Sequence, residues 1–553
     1  MKKLSIRYLL ILIICSVTIF FNQNNVFAEQ YDVDTGFRTE KDGFGFENYG
    51  NVGCLDKACQ QTFPIENLTA VEMRRLFGDR VCRKIQTDGS CELYKVAELW
   101  MNKVNRAMSG GHCEGMAVLS TLFYAGVLDP NIFGSHSVNQ LTLAGNTLLQ
   151  REIAYWFATQ WFMDDYMIEK DPVSQLKILI SAYKENPRLL IPIAIYQRNY
   201  SKGHTVLAYA IEDKGNGIYW LEVYDSNYPN QEKHMIIDVS NNSWTYTTLS
   251  FPDRSEIVYE GIGNSNPFQL APINSRLKQY VCDFCPVVSS AQITQPEPGF
   301  NRLTVDSGIN VYIENPEGQK TGYDWKTGKT YAEIPDLEIN RTMRQTSAQL
   351  PVNLPYYLWL NAPDLHSWAT FDVSFTSQGT VLYLQNVLES YEYPNIIYKP
   401  GDSKQEGNSN TETFEVVAFP DRLPTVQFVI SNEQGECRFD LNILFKGMVD
   451  PNLKVDIQIF HNPKTGRFGI NIYPAKDAET EQYLQTTFTI SGDFYLYTDQ
   501  DEKHIAINNE TPIEMRVNGN ISIDYQAWQK NGTFFINGDL DGDSIVEIAK
   551  EFQ

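Results

Sequence analysis

What this chain has little of is positive charge. Its 553 residues carry 45 Lys and Arg against 68 Asp and Glu, a formal net charge of −23. An acidic excess of that size argues against nucleic acid or an anionic membrane as partner. Long apolar runs are also missing. The one candidate, Leu9 to Phe21, is short for a bilayer span, and no later stretch is apolar for long enough to supply one. No internal repeat stands out. Histidine is scarce, with seven in all, so each imidazole can be considered as a base in turn.

The first 28 residues read as a processing segment. Lys2, Lys3 and Arg7 precede the apolar run, and Val26-Phe27-Ala28 is a small-residue cleavage site. The expected address is therefore outside the cell. Cys15 lies within the run, but Ile14 stands before it where a lipoprotein anchor wants a small residue. In an exported chain the cluster Cys54, Cys59, Cys82 and Cys91 reads as two local disulfides, Cys54–Cys59 and Cys82–Cys91. A zinc site joining Cys282 and Cys285 to two of these cysteines is the alternative. Cys113 and Cys437 stand alone.

A chain of this length implies several domains. Residues 29–95 form a cysteine-containing arm, with a helix starting at Thr69, which stands at capping-box spacing from Glu72. The arm is either a packing extension of the next domain or a removable inhibitory segment. Residues 96–286 alternate helix-like and then strand-like pieces. Helices are expected at 95–108, 113–125, 137–163 and 172–185, and strands at 189–196, 204–212, 218–225 and 234–239. That order makes an α+β domain. A polar, proline-bearing linker follows at 289–299. Residues 300–400 and 412–553 then read as two β-sandwich-type modules, with a second linker candidate at 401–411 between them. Their expected use is contact with a cell-surface protein or glycan.

The chemistry concentrates at Ser109-Gly110-Gly111-His112-Cys113-Glu114-Gly115-Met116-Ala117. Two glycines let the backbone turn sharply before a helix whose apolar residues, Met116, Leu119, Leu122 and Phe123, recur at helical spacing. Cys113 then falls in the first turn, where unpaired N–H groups and the positive dipole end favour a thiolate.

A thiolate nucleophile needs a base, and the base needs an orienting group. His112 is adjacent to Cys113 and points about 100° away from it on a helix. His366, His461 and His504 lie in the β-rich tail, and His136 and His234 fall in or beside turns. His204 instead opens an apolar strand, Thr205 to Ile211, that ends at the turn Lys214-Gly215-Asn216-Gly217. A turn centred on Lys214-Gly215 sets His204 opposite Asp225, and one centred on Gly215-Asn216 sets it opposite Asn227. Opposed side chains in an antiparallel pair lie about 5 Å apart, so either register offers the imidazole a carboxylate or an amide.

Gly111-His112-Cys113-Glu114-Gly115-Met116-Ala117, Gly203-His204-Thr205-Val206 and Tyr224-Asp225-Ser226-Asn227-Tyr228-Pro229, in that order, resemble the papain-like cysteine peptidases. More narrowly, they are similar to bacterial exported proteins with a papain-like domain carrying Gly-His-Cys-x-Gly-Met and Tyr-Asp-x-Asn-Tyr-Pro. The resemblance covers about residues 96–250. It implies Cys113 as nucleophile, His204 as base and then acid, Asp225 as orienter, an acyl-enzyme on a peptide or protein substrate, and no cofactor. The family places an oxyanion-stabilising glutamine six residues before the cysteine. Here Ala107 stands there, and Asn105 is the nearest amide that could substitute. The same triad order serves transglutaminases and acyltransferases, and a catalytically silent interaction domain is the remaining alternative.

Near the C terminus, Asp539, Asp541 and Asp543 alternate as in a calcium loop. Ser544 and Lys550 occupy the positions where such a loop needs glycine and glutamate, so an acidic turn is expected there, with calcium as the lesser reading.

Overall fold

The computed structural model describes residues 33–54, 59–163, 168–197, 202–251, 254–286, 302–306, 309–341, 345–350, 354–362, 370–377, 379–388, 394–401, 411–419, 422–432, 435–446, 454–474, 487–498, 502–507, 511–541, 543 and 545–552. The leader, Cys15 and the 289–299 linker lie outside them, as does most of the 401–411 linker.

Helices dominate residues 70–185, and several have a readable start. Thr69 accepts from the Val71 N–H while the Glu72 carboxylate accepts from the Thr69 N–H, closing the capping box on Ala70–Phe77. Lys95–Ala107 and the cysteine helix Cys113–Tyr124 match the expected spans to within one residue. The long helix expected over 137–163 is only Thr147–Ala158, flanked by short 3-10 turns at Val138–Gln140 and Thr159–Phe162. Gly145 with φ +71° and Asn146, whose side chain accepts from the Leu149 N–H, reset the backbone there and start the helix late. Asp171 caps Pro172–Glu185, with proline at the first helical position.

A nine-stranded antiparallel sheet follows. Its order is Glu256–Ile262, Ser243–Leu249, Lys233–Asp238, Ile218–Tyr224, Gly203–Gly215, Pro192–Tyr196, Gln269–Leu270, Ile168–Glu169, with Val33–Asp34 added against the Gly203–Gly215 strand. The histidine strand is thus central and paired on both sides. The arm belongs to this unit. Phe37, Phe44, Met73, Leu76 and Val81 are fully buried in the same core as Leu119, Leu122, Ile193 and Val206, as expected of a packing extension.

From residue 302 onward the described chain is mostly strand. A ten-stranded and an eleven-stranded antiparallel sheet share one core, joined by ring contacts such as Phe428–Phe468 at 4.3 Å, Phe375–Phe414 at 4.6 Å and Phe494–Phe534 at 5.0 Å. Both sheets run through the expected 400/412 boundary. Thr380–Leu388 pairs with Thr425–Asn432 in one, and Ile396–Lys399 with Glu412–Ala418 in the other. One helix, Tyr525–Asn531, inserts Trp528 between Phe439 and Phe534.

Cys54–Cys59 and Cys82–Cys91 are disulfide-bonded as expected, and Cys282 is bonded to Cys285. The zinc alternative fails on this pairing, because all six candidate ligands are consumed as disulfides. Cys113 and Cys437 are free thiols. Among the described residues no helix is long and apolar enough to cross a membrane.

Candidate active site

Two glycines shape the entry to the cysteine helix. Gly111 has φ +110°, and a Cβ there would lie 2.7 Å from the Asn48 amide nitrogen. A Cβ on Gly115 would lie 2.2 Å from the Ile153 carbonyl oxygen, so this glycine lets the cysteine helix seat directly on Thr147–Ala158. Cys113 is the first helical residue and packs against Ala194 and Tyr196 of the neighbouring strand.

The hairpin reaches the expected partners by a different route. Its tight turn is Asn216-Gly217, both at positive φ, with Gly215 paired to Ile218, so neither expected turn centre holds. Two irregularities, between Asp213 and Gly215 and between Ala208 and Ala210, shift the register until Leu207 faces Tyr224. Extended further, that register sets His204 against Asn227. The strand ends at Tyr224, however, and the turn beyond it swings Asp225 in as well.

The His204 Nε2 lies 2.7 Å from Asp225 Oδ1 and 3.4 Å from Asn227 Nδ2. The same ring is also hydrogen-bonded with Cys113. Asp225 is fully buried and fully engaged. Its Oδ1 also accepts from the Asn227 N–H at 2.8 Å, and its Oδ2 accepts from the Tyr246 hydroxyl at 2.7 Å and the Thr248 hydroxyl at 2.6 Å. Burial pushes this carboxyl up, but the His204 charge and these hydrogen bonds outweigh it and hold it below its ordinary value. Burial likewise pulls the His204 imidazole down. The Asp225 carboxylate and the Cys113 sulfur outweigh that, and the net shift is upward, to about 10. The geometry therefore favours an imidazolium beside the sulfur.

Asn227 serves as a brace. Its Nδ2 donates to the Leu249 carbonyl at 2.8 Å, and its Oδ1 accepts from Asn48 Nδ2 at 3.0 Å. Asn105 is placed elsewhere than the expected oxyanion site. Its Oδ1 accepts from the Leu68 N–H and its Nδ2 donates to the Leu68 carbonyl, both at 3.0 Å, so its amide ties helix Lys95–Ala107 to the arm. The buried Leu68 backbone, just before the capped helix at Ala70, needs a partner for both its N–H and its carbonyl, and Asn105 supplies both.

Several residues that complete the site escape sequence reasoning. Asn48, from the arm, accepts from the His112 N–H at 2.7 Å and donates its own N–H to the Ser226 carbonyl at 2.8 Å, linking the loop before Cys113 to the loop after Asp225. Glu114 and Arg276 form a buried ion pair, 3 % and 1 % exposed. Glu114 also accepts from the Thr205 hydroxyl at 2.5 Å, and Arg276 donates to the Thr159 hydroxyl at 2.8 Å. Residues 113 and 204 are each one position away from a member of this network. The one legible signal was alternation in Ser243–Leu249, where Tyr246 and Thr248 share a buried face with Trp244.

At the C terminus the carboxylates of Asp539, Asp541, Asp543 and Glu547 could converge on one cation, with ligand atoms within 4.8 Å of one another. Several already accept from backbone N–H groups of their own turn, Asp541 from Asp543 and Asp543 from Ile545. That is the arrangement of an acidic turn.

No protein-family model, no curated protein and no solved structure matches this chain. The site stands on its geometry alone.

Proposed function

We propose that this chain is an exported thiol hydrolase of the papain-like type, cleaving amide bonds in a peptide or protein. The observation that carries the reading is the His204 imidazole, hydrogen-bonded both to Asp225 at 2.7 Å and to Cys113 at a helix N terminus. The Cys113 thiolate attacks the carbonyl carbon, and the resulting oxyanion faces the N–H groups at the helix entrance. His204 gives its proton to the leaving amine, whose departure leaves a thioester on Cys113. His204, now neutral, takes a proton from water, hydroxide adds to the thioester, and the adduct collapses to the carboxylic acid and the Cys113 thiolate beside protonated His204, the pair that began the cycle. Asp225 holds the ring in place throughout and stabilises its charged form. The three disulfides and the leader sequence favour an extracellular address.

Labelling of the mature chain with an electrophilic acyl probe tests this. Cys113 is the expected site of modification, and Cys113→Ala is expected to abolish both labelling and peptide cleavage. A variant of full activity refutes the triad. Transfer to an added amine in place of water would make it an acyl transferase on the same residues.

A second reading, a catalytically silent interaction protein, draws on two observations. Cys113 and His204 are only 3 % and 4 % exposed, and no glutamine stands six residues before the cysteine. Failure of Cys113 to react in the folded chain near neutral pH favours it.

A further inference from the structure

His112, which the triad leaves unused, is fully buried immediately before Cys113. Its Nδ1 lies 2.7 Å from the Tyr49 backbone carbonyl oxygen, which can only accept, so Nδ1 carries a proton. Its Nε2 lies 2.9 Å from the Asn67 side-chain oxygen. That amide cannot be turned round without cost, because the chain beyond it fixes its orientation. Asn67 Nδ2 donates to Asn51 Oδ1 at 2.8 Å, and Asn51 Nδ2 donates to the Asn105 backbone carbonyl at 3.1 Å. The obligate acceptor at Asn105 sets Asn51, Asn51 sets Asn67, and Asn67 presents an acceptor to the ring. Both nitrogens of His112 therefore meet acceptors, an arrangement that only the doubly protonated ring satisfies.

Further contacts suit a cation. The ring stacks on Tyr49 with centroids 4.2 Å apart and planes 17° from parallel, which sets the charge over an aromatic face. Phe157 flanks it at 5.7 Å. The phenol of Tyr49 is itself pushed well up by burial, so it stays neutral. The acidic side chains of the three helices around the ring are paired, Glu114 with Arg276, Glu72 with Arg151, and Glu152 with Arg75, while Glu66 beside Asn67 and Arg106 beside Asn105 are exposed to solvent.

We propose that His112 is held as an imidazolium at neutral pH and acts as a fixed positive charge that favours the thiolate form of Cys113. It touches no reacting atom and is a positioning residue in the electrostatic sense. Two asparagine side chains of the arm, Asn67 and Asn51, and the backbone carbonyl of Asn105 keep its second proton in place. The role in catalysis rests on the hydrolase reading, whereas the protonation state does not.

The full mature chain carrying labelled histidine and cysteine tests this by NMR. In Cys113→Ala, both His112 ring nitrogens are expected to be protonated at pH 7. The Cys113 13Cβ resonance reports its ionisation without requiring reagent access. His112→Asn is expected to raise the thiol midpoint by about one pH unit, the lower end of the effect of a nearby charge. Asn67→Ala, which removes one acceptor and leaves the ring, is expected to bring the His112 midpoint down toward its ordinary range and to raise the Cys113 midpoint by a smaller amount. A single protonated nitrogen at pH 7 overturns the proposal, and so does a Cys113 midpoint unmoved in both variants. Absence of hydrolysis beside an intact imidazolium signature would refute the hydrolase and leave this assignment standing.

Discussion

Replacing Arg276 with Met removes one member of the buried pair that braces the cysteine helix against the histidine strand. Glu114 and Arg276 are 3 % and 1 % exposed, so water cannot compensate the carboxylate left behind. Breaking such a pair from one side costs about 3–5 kcal/mol. For a unit of this size that lowers the midpoint of thermal unfolding by roughly 6–20 °C. The double change Glu114→Met with Arg276→Met removes both charges. What it strands are the hydroxyls of Thr205 and Thr159, each worth about 1–3 kcal/mol when left without a partner. The double variant is therefore expected to be no less stable than Arg276→Met alone, with a coupling of at least about 2 kcal/mol across the cycle. Scanning calorimetry of the four proteins measures this. The brace is refuted if Arg276→Met costs under about 1 kcal/mol, or if the two single changes simply add.

Three further outcomes are expected. The upward shift of His204 stabilises the fold fully below its ordinary pKa and is lost as pH rises through about 10, whereas the downward shift of Asp225 stabilises above its ordinary value and is lost in acid; Asp225→Asn should flatten both limbs in denaturation midpoints measured from pH 3 to 11. Deleting residues 29–95 should prevent folding, with Phe44→Ala alone costing about 3–5 kcal/mol as a fully buried ring is lost, and a truncated chain with native circular dichroism would contradict this. Asn105→Ala should leave Cys113 labelling within about twofold while destabilising the fold by about 1 kcal/mol per lost hydrogen bond; a labelling loss of about a hundredfold or more would return Asn105 to an oxyanion role.

The extent of legibility differs between elements. The cysteine helix could be read because its glycines, apolar spacing and terminus are local features, and the capping box at Thr69 because it spans four residues. The helix over 147–158 was overextended because apolar periodicity continues through Gly145-Asn146, and only backbone conformation ends it. The hairpin was legible as a pairing but not as a register. Asn216-Gly217 makes the turn, and two irregularities, invisible in composition, then bring His204 to Asp225 and Asn227. The tail read as β throughout, yet two modules were expected where both sheets run continuously across 400–412. Alternation shows which face of a strand is buried and not which strand lies beside it.

By itself, then, the sequence determined the place of Cys113 at a helix entrance, His204 on an apolar strand, two of the disulfides and the helix-then-strand order. Each follows from local preference or spacing within a few tens of residues. Tertiary structure alone decided that Asp225 binds the ring while Asn227 braces it, that Asn105 serves the arm, and that Asn48, Glu114, Arg276 and the acceptors around His112 gather about the start of the cysteine helix. Those partners lie up to 179 residues apart. Buried polar groups find such partners only once the whole core has closed around them, because leaving any one unpaired there costs more than the local preferences can supply.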